Sequence, residues 1–541
     1  MSGDIVSGIG ARVRRKEDDR LLRGRGRFVG DIALVGMREL AFARSPVAHA
    51  RITGFDIPEE VKGQVFTWAD LTRAGVRAIR AASGLPGFKV SEQPALAADK
   101  VRFVGEPIAV AVAASRAEAE DIAASVIAEF DELPANVDML AAAGPGAPRV
   151  HDHWSDNIFV ETGVGQTFEA AAAAAPIKIR RTIRTSRQCI APLEGKGVVA
   201  EWDRQAEQLV LTTATQMPHI VRSGLSECLG LPLEAIRVIA PDVGGGFGFK
   251  GLLQPEEVVA GWLAIHLGYP VRWTEDRREH LVAAANAREH HYEITAYAEA
   301  DGTLIGIDAD AWVDAGAYSS YPFTACLEAA QVGSILPGPY DFPHYHCRTF
   351  SVCTNKPPIV PFRGVARANV CFVMEQLIDA IAEAAGREPW EVRLANLVPP
   401  EKMPFDNITG KHFDSGDYPQ SLRRAVAGID LAAVRRRQRQ REPDGRLIGV
   451  GFATYCEQGA HGTAVYHGWG IPMVPGYEQA QGRITADGGL ELRVGVQSHG
   501  QGMETSFAQV AHEVLGVPLE RIRLVHGDTA LTPYSTGTWG S

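Results

Sequence analysis

Four glycine-marked turns carry the residue types best able to do chemistry in this chain. They are Gly244–Gly248 within Val243-Gly244-Gly245-Gly246-Phe247-Gly248, the run Pro361-Phe362-Arg363-Gly364-Val365-Ala366-Arg367, the run Ser498-His499-Gly500-Gln501-Gly502, and Gly527-Asp528-Thr529. A glycine turn bares backbone N–H groups, and one that opens a helix adds the positive end of the helix dipole, so both suit an anion. The first run follows the β-branched segment Ile236–Ala240, which reads as a strand. It precedes Pro255–Ile265, which reads as a helix ending near Gly268. Two nucleotide signatures are excluded. Lys250 is followed by Gly251 and not Ser or Thr, so this is no P-loop, and GGGFG spacing does not match GxGxxG. Gln501 adds an amide that both donates and accepts. Arg363 and Arg367 flank Gly364 ahead of a helix expected over Cys371–Ala385, and fixed guanidinium forks suit phosphate or an oxo group. A single turn of this kind is more often structural. Four of them in a duplicated scaffold favour a large polyanionic cofactor.

The duplication is visible directly. Leu229-Gly230-Leu231-Pro232-Leu233-Glu234-Ala235-Ile236-Arg237, ending at Asp242, aligns without a gap with Leu515-Gly516-Val517-Pro518-Leu519-Glu520-Arg521-Ile522-Arg523, ending at Asp528; eight of the fourteen positions are identical. Each copy follows a strand-like run (Leu209–Thr213, Leu490–Val496), a Gln-bearing turn and an amphipathic helix. In the second helix Phe507, Val510, Ala511, Val514 and Leu515 fall at helical spacing and predict its buried face. Gly516 and then Pro518 predict its end. Two related halves invite a ligand between them.

The rest of the chain divides by composition. Residues 1–27 end in a basic, Gly-dotted arm, expected either as a solvated segment or as one lying on a partner subunit. Residues 28–137 read as an α/β domain, with strands at Leu40–Ser45 and Pro107–Val112 and a helix from Arg116 running into a strand near Phe130. Residues 138–178, rich in Ala, Gly and Pro, read as a linker, 179–400 as the first half of the duplicated region, and 401–541 as an incomplete second half. The 541 residues are 45% hydrophobic and 22% charged, with a formal net charge of -11, which argues against a nucleic-acid binder. No apolar run reaches membrane-spanning length and the N-terminus has no signal-peptide core, so a cytoplasmic chain is expected. The seven cysteines show no C-x-x-C spacing, so neither a disulfide framework nor an iron–sulfur or zinc site is expected within this chain.

Taken in order, these motifs resemble the molybdenum-binding large subunit of the xanthine dehydrogenase/aldehyde oxidase family, and within it the branch that contains aerobic carbon monoxide dehydrogenase. The resemblance runs from about Arg12 to Ser541. It rests on Arg44-Ser45-Pro46-Val47-Ala48-His49-Ala50-Arg51-Ile52, Thr215-Gln216, Asp242–Lys250, Phe362-Arg363-Gly364, His499–Gly502, and Gly527–Thr529 with Gly537-Thr538-Trp539-Gly540-Ser541. It implies an α+β architecture: an α/β hammerhead-like N-terminal domain, then the duplicated α+β molybdopterin-binding domain. It implies molybdopterin cytosine dinucleotide bound between the halves, and hydroxylation of a carbon centre of an aldehyde or N-heterocycle with water as oxygen donor. Electrons would leave through [2Fe–2S] and FAD on a small and a medium partner subunit. Gln216, Phe247 and Arg363 would border the molybdenum without ligating it. Gly245, Gly246, Phe247, Gly248, Gly364, Arg367, His499, Gly500, Gln501, Gly502, Gly527, Asp528, Thr529, Gly540 and Ser541 would hold the pterin and dinucleotide.

Departures from the family pattern narrow the reading. The carbon monoxide enzymes carry a copper-binding Cys directly after the loop Arg; here that position is Gly364, so neither copper nor carbon monoxide oxidation is expected. Gly251 and Val365 stand where xanthine-type enzymes often carry Glu and an aromatic, which weakens a purine assignment. The family's general base lies in a C-terminal GxGE motif, and no GxGE occurs in these residues. The expectation is therefore a fragment, or a subunit completed by a separate polypeptide. The alternative is a non-catalytic cofactor-binding or assembly subunit. Glu457 is expected to be a structural hydrogen-bonding group, Glu194 to lie near the substrate entrance, and His461 with His467 not to form a metal pair.

Overall fold

The computed structural model describes residues 8–440, 442–471 and 474–540. Each repeat copy folds as strand, helix, 3-10 turn and strand. In the first copy these are Gln208–Thr213, Pro218–Leu229, Leu233–Ala235 and Ile236–Ile239. In the second they are Leu490–Val494, Met503–Leu515, Leu519–Arg521 and Ile522–Val525. The two strands of each copy pair in parallel, Leu209 opposite Ile236 and Leu490 opposite Ile522. Both helices stop on a left-handed glycine, Gly230 at φ 70° and Gly516 at φ 69°, where a side chain would be strained.

The first copy is built into a seven-stranded sheet that also contains the N-terminal region. Its order is Ile236–Ile239, Gln208–Thr213, Gly197–Asp203, Val271–Thr274, Arg38–Arg44, Pro107–Ala113, Val65–Thr67. The join is the parallel pairing of Arg38 with Val271 and Glu39 with Arg272. Helix Pro255–Leu267 packs on this sheet and is buried on nearly every side, as its apolar middle Val258–Ala264 requires. A five-stranded sheet follows, ordered Ile177–Thr185, His290–Ala298, Leu304–Gly316, His344–Cys353, Ile158–Gly165. Helix Arg367–Ala384 lies against it and begins one turn earlier than expected, which makes Arg367 its first residue. The stretch read as a linker, 138–178, is structured: it holds helix Met139–Ala143, strand Ile158–Gly165 and helix Glu169–Ala174. Its strand escapes a composition-based reading because only Phe159 and Val160 are buried in it.

Two further expectations change. The basic arm is not a free solvated segment; it docks on this chain's own second half. Lys16 Nζ donates to the carbonyls of Leu519 and Ile522, and Thr505 Oγ1 donates to buried Glu17 at 2.6 Å. Arg20 reaches Asp242 of the first half at 2.5 Å and Glu504 of the second at 2.6 Å. The predicted buried face of helix Met503–Leu515 is mostly open: Val510, Val514 and Leu515 are exposed, while Met503, Thr505, Ala508 and Ala511 are buried. The sheet beneath has only three strands, and the arm takes the Thr505 and Gln509 side through polar contacts. Among the described residues no helix is long and apolar enough to cross a membrane.

Candidate functional site: a seam between the repeat copies

The glycine loop leaves strand Ile236–Ile239 in a conformation few side chains allow. Gly245 has φ 92° and Gly248 φ 100°, and Phe247 itself sits at φ 56° with its ring partly exposed. A Cβ on Gly248 would lie 1.9 Å from Pro361 O, so glycine there lets the 361–367 loop press against the glycine loop. Arg363 N–H donates to Phe247 O at 3.0 Å, which fixes the two loops together.

Gln216 joins this loop to the second half. Its buried amide accepts from Gly248 N at 2.9 Å and donates to Thr538 O at 2.8 Å, while Thr538 N donates to Gln216 O at 3.1 Å. Beneath the loop, Glu194 accepts from Gly244 N at 2.7 Å and from Lys250 Nζ at 2.8 Å. Lys250 is fully buried, and desolvation lowers its pKa from 10.5 to about 8 against the pull of Glu194. Glu194 therefore braces the loop from below.

The second half answers with its repeat equivalent of Gln216. Gln497 is fully buried; its backbone N–H donates to Thr538 Oγ1 at 2.8 Å, its amide donates to Pro241 O at 3.1 Å, and its oxygen accepts from His526 Nδ1 at 3.0 Å. His499 Nε2 donates to Thr538 O at 3.2 Å. Burial lowers the His499 pKa, and the charges of Lys250 and Arg363 push the same way. Gly527, Asp528 and Thr529 lie behind, tied to the first half: Ala240 N donates to Gly527 O at 2.6 Å, Arg237 holds Asp528 at 3.0 and 2.5 Å, and Thr529 exchanges two hydrogen bonds with Val238, each 3.0 Å.

The structure thus brings Gln216, Gly245–Gly248, Arg363, Gly364, His499–Gly502 and Gly540 to one seam. Asp528 and Thr529 stitch the halves with their polar side chains. Arg367 is turned away: Glu457 at 2.8 Å, Gln331 at 2.9 Å and Gln458 at 3.4 Å occupy its guanidinium. Ser541 lies outside the described residues. Among the described residues no protein acceptor meets the backbone N–H of Gly246, Phe247, Gly500 or Gln501. These bare donors, in two turns of opposite halves, suit the anionic groups of a phosphate-bearing ligand. Sequence reasoning missed the bracing by Glu194 and Lys250, the central place of Thr538, and Gln497, which alignment of the repeat with Gln216 would have found.

Beside Arg367 lies a cavity of about 450 Å³ between helix Arg367–Ala384, residues 407–415 and residues 454–459. The last of these runs on to Ala460, whose N–H donates to Gly540 O at 2.8 Å.

Comparison with known proteins accounts for this geometry. Residues 150–397 and 424–541 each match the molybdopterin cofactor-binding domain, and residues 23–134 match the a/b hammerhead domain of aldehyde oxidase and xanthine dehydrogenase. The nicotine 6-hydroxylase large subunit of Paenarthrobacter nicotinovorans is 35% identical, the alignment covering 98% of this chain and 65% of that protein. The carbon monoxide dehydrogenase large chain of Hydrogenophaga pseudoflava is 32% identical over 99% of this chain and 68% of that one. Among solved structures, quinoline 2-oxidoreductase from Pseudomonas putida 86 superposes with a TM-score of 0.94 at 35% identity, covering 99% of this chain and 68% of that one. The chain thus spans about two thirds of the length of these relatives. With two cofactor-binding segments meeting at a seam of bare amides behind a hammerhead domain, the chain belongs to the family of molybdenum-binding large subunits that includes carbon monoxide dehydrogenase, xanthine dehydrogenase and aldehyde oxidase.

Proposed function

We propose that this chain forms the cofactor-binding core of a molybdenum hydroxylase, holding molybdopterin cytosine dinucleotide across the seam and oxidising an aldehyde or an N-heterocycle. The observation that carries this reading is the pair of turns with unpartnered amides, Gly246–Phe247 and Gly500–Gln501, linked through Gln216, Thr538 and Gln497. The bound cofactor would supply two-electron redox chemistry, with oxygen drawn from water.

The chain's own residues do the positioning. The amides of Gly246, Phe247, Gly500 and Gln501 receive anionic oxygens. Gln216 keeps one amide hydrogen beyond its bond to Thr538 O and presents it beside Phe247. Arg363, exposed and fixed at its backbone by Phe247 O, brings a permanent positive charge to the same side. His499, held neutral by burial, adds no charge there. Gly364 leaves no thiol for copper, so the chemistry is carbon hydroxylation and not carbon monoxide oxidation. Electrons would pass to iron–sulfur and FAD groups on partner subunits, and the base that completes turnover would come from a segment carrying GxGE. All seven cysteines are free thiols, which fits a reducing, cytoplasmic setting.

The test is the metal and nucleotide content of the protein purified from its native host. Molybdenum together with acid-released cytidine monophosphate is the expected result. Cytidine nucleotide without metal would point to a nucleotide-binding protein, and neither would sink the proposal. Carbon monoxide-dependent dye reduction by the complex would refute the copper-free assignment.

A further inference from the structure

The cavity beside Arg367 holds a cation without a counter-ion among the described residues. Lys411 lines it half-buried, with its ammonium 5.2 Å from the centroid of the Trp469 ring. Burial lowers its pKa, and the neighbouring charge of Arg367 lowers it further; no described carboxylate lies within ion-pair range of it. The acidic groups lining the same cavity are otherwise placed. Glu375 accepts from Tyr340 Oη and from Arg393 Nε, both at 2.6 Å, and Glu457 is held by Arg367. Asp414 is exposed at the rim. Burial lowers the His461 pKa to about 4, the charges of Arg367 and Lys411 adding to it, and its buried Nδ1 has no hydrogen-bond partner among the described residues. Opposite this polar corner the wall is apolar and aromatic, formed by Leu336, Val370, Met374 and Phe413 among others. A half-buried ammonium beside a guanidinium, with one carboxylate between them, leaves a net positive corner that an incoming anion would neutralise.

We propose that this cavity is the substrate chamber and that it selects an aromatic or heteroaromatic carboxylate, the carboxylate meeting Lys411 and the ring lying on the apolar wall. The inference rests on the hydroxylase reading, since the cavity wall at Gly459 runs on to Ala460, whose N–H donates to Gly540 O of the seam. It goes further by fixing the charge of the substrate. Lys411 is here a binding residue, and the cofactor need not be bound for it to act.

The experiment compares nicotinate with nicotinamide, and benzoate with benzamide, as probes of the purified protein with whatever chains accompany it. Binding is read by calorimetry and by the change in tryptophan fluorescence between wild type and Trp469→Phe, the ring that Lys411 covers. Wild type should bind each carboxylate about tenfold or more tightly than its neutral amide, the scale of one charge-assisted contact. Lys411→Met should erase that preference while leaving amide binding in place, and Lys411→Arg should retain most of it. Equal binding of acid and amide by wild type, or an undiminished preference in Lys411→Met, would overturn the proposal. Amide binding in each variant shows that the cavity is intact. Molybdenum and cytidine content of the same samples report the cofactor reading separately: cofactor present without carboxylate preference sinks this inference alone, and carboxylate preference in a protein that never carries cofactor sinks the hydroxylase reading alone.

Discussion

Gln216 and Gln497 stand at equivalent places in the two repeat copies, and each uses its amide to hold the opposite half. Gln216→Ala removes the partner of Gly248 N and one of the two donors to Thr538 O, a loss of about 1–3 kcal/mol. The expected outcome is a lower unfolding temperature together with less molybdenum per protein; unchanged values of both would show that the seam does not depend on this residue. Lys250 gives a pH signature. Its pKa is lower in the fold than in the unfolded chain, so between about 8 and 10.5 the unfolded state binds more protons and stability rises with pH. Below about 8 the penalty of burying the charge is fully present. Denaturant unfolding of wild type and Lys250→Met should therefore converge or cross in wild type's favour as pH climbs through that window, and a pH-independent difference would contradict the assignment. What could be read from sequence at this scale was local. Glycine turns, the Arg363 loop and His499–Gly502 announce bare amides and charge within a few residues. The partners do not: Glu194 and Lys250 are 56 positions apart, and Gln216 and Thr538 are 322 apart. No periodicity links such pairs.

Among the elements, the arm and helix Met503–Leu515 form one unit. Arg20 sits between Asp242 and Glu504, so Arg20→Met should cost about 1 kcal/mol, discounted for its partial exposure. It should also speed hydrogen exchange in the helix and open the arm to protease; an arm as protected as in wild type would count against the latch. Acid should release the same contact. His526, its Nε2 4.0 Å away, and the hydrogen bond from Arg20 at 2.6 Å hold the Glu504 pKa near 2 instead of 4.5. Its stabilisation is present above about 4.5 and is lost as pH falls toward 2. The arm's sequence shows charge but not the carboxylates and carbonyls it meets, so its docking was not legible. The helix was legible as a helix, from periodicity and its Gly516 stop. Its buried side was not, because a three-stranded sheet covers less of a helix than its apolar stripe offers.

Across the whole molecule, the duplication was the most legible feature, since both copies repeat the same element order, parallel pairing and glycine stop. The weld between the N-terminal region and the first half was hidden, because strand order in a sheet is not a property of any one segment. Its consequence is measurable. Arg38–Arg44 and Val271–Thr274 share the join of the seven-stranded sheet, so hydrogen exchange should show them opening together. Independent opening would mean that the two regions are only loosely apposed. The same view separates the site into a rigid floor on the large sheet and a second wall carried on a small one.

The arm's contacts also set an order of events during synthesis. Arg15 meets Gly500 across 485 positions, and Lys16 meets Leu519 and Ile522 across 503 and 506. At ribosomal speeds of about 5–20 residues per second, the arm waits roughly 25–100 s for its docking surface to be made. Residues translated among the first are thus seated among the last. A nascent chain stalled before residue 500 would display the large sheet and the glycine loop with the cradle open on one side, and the arm closes it only when the second copy arrives.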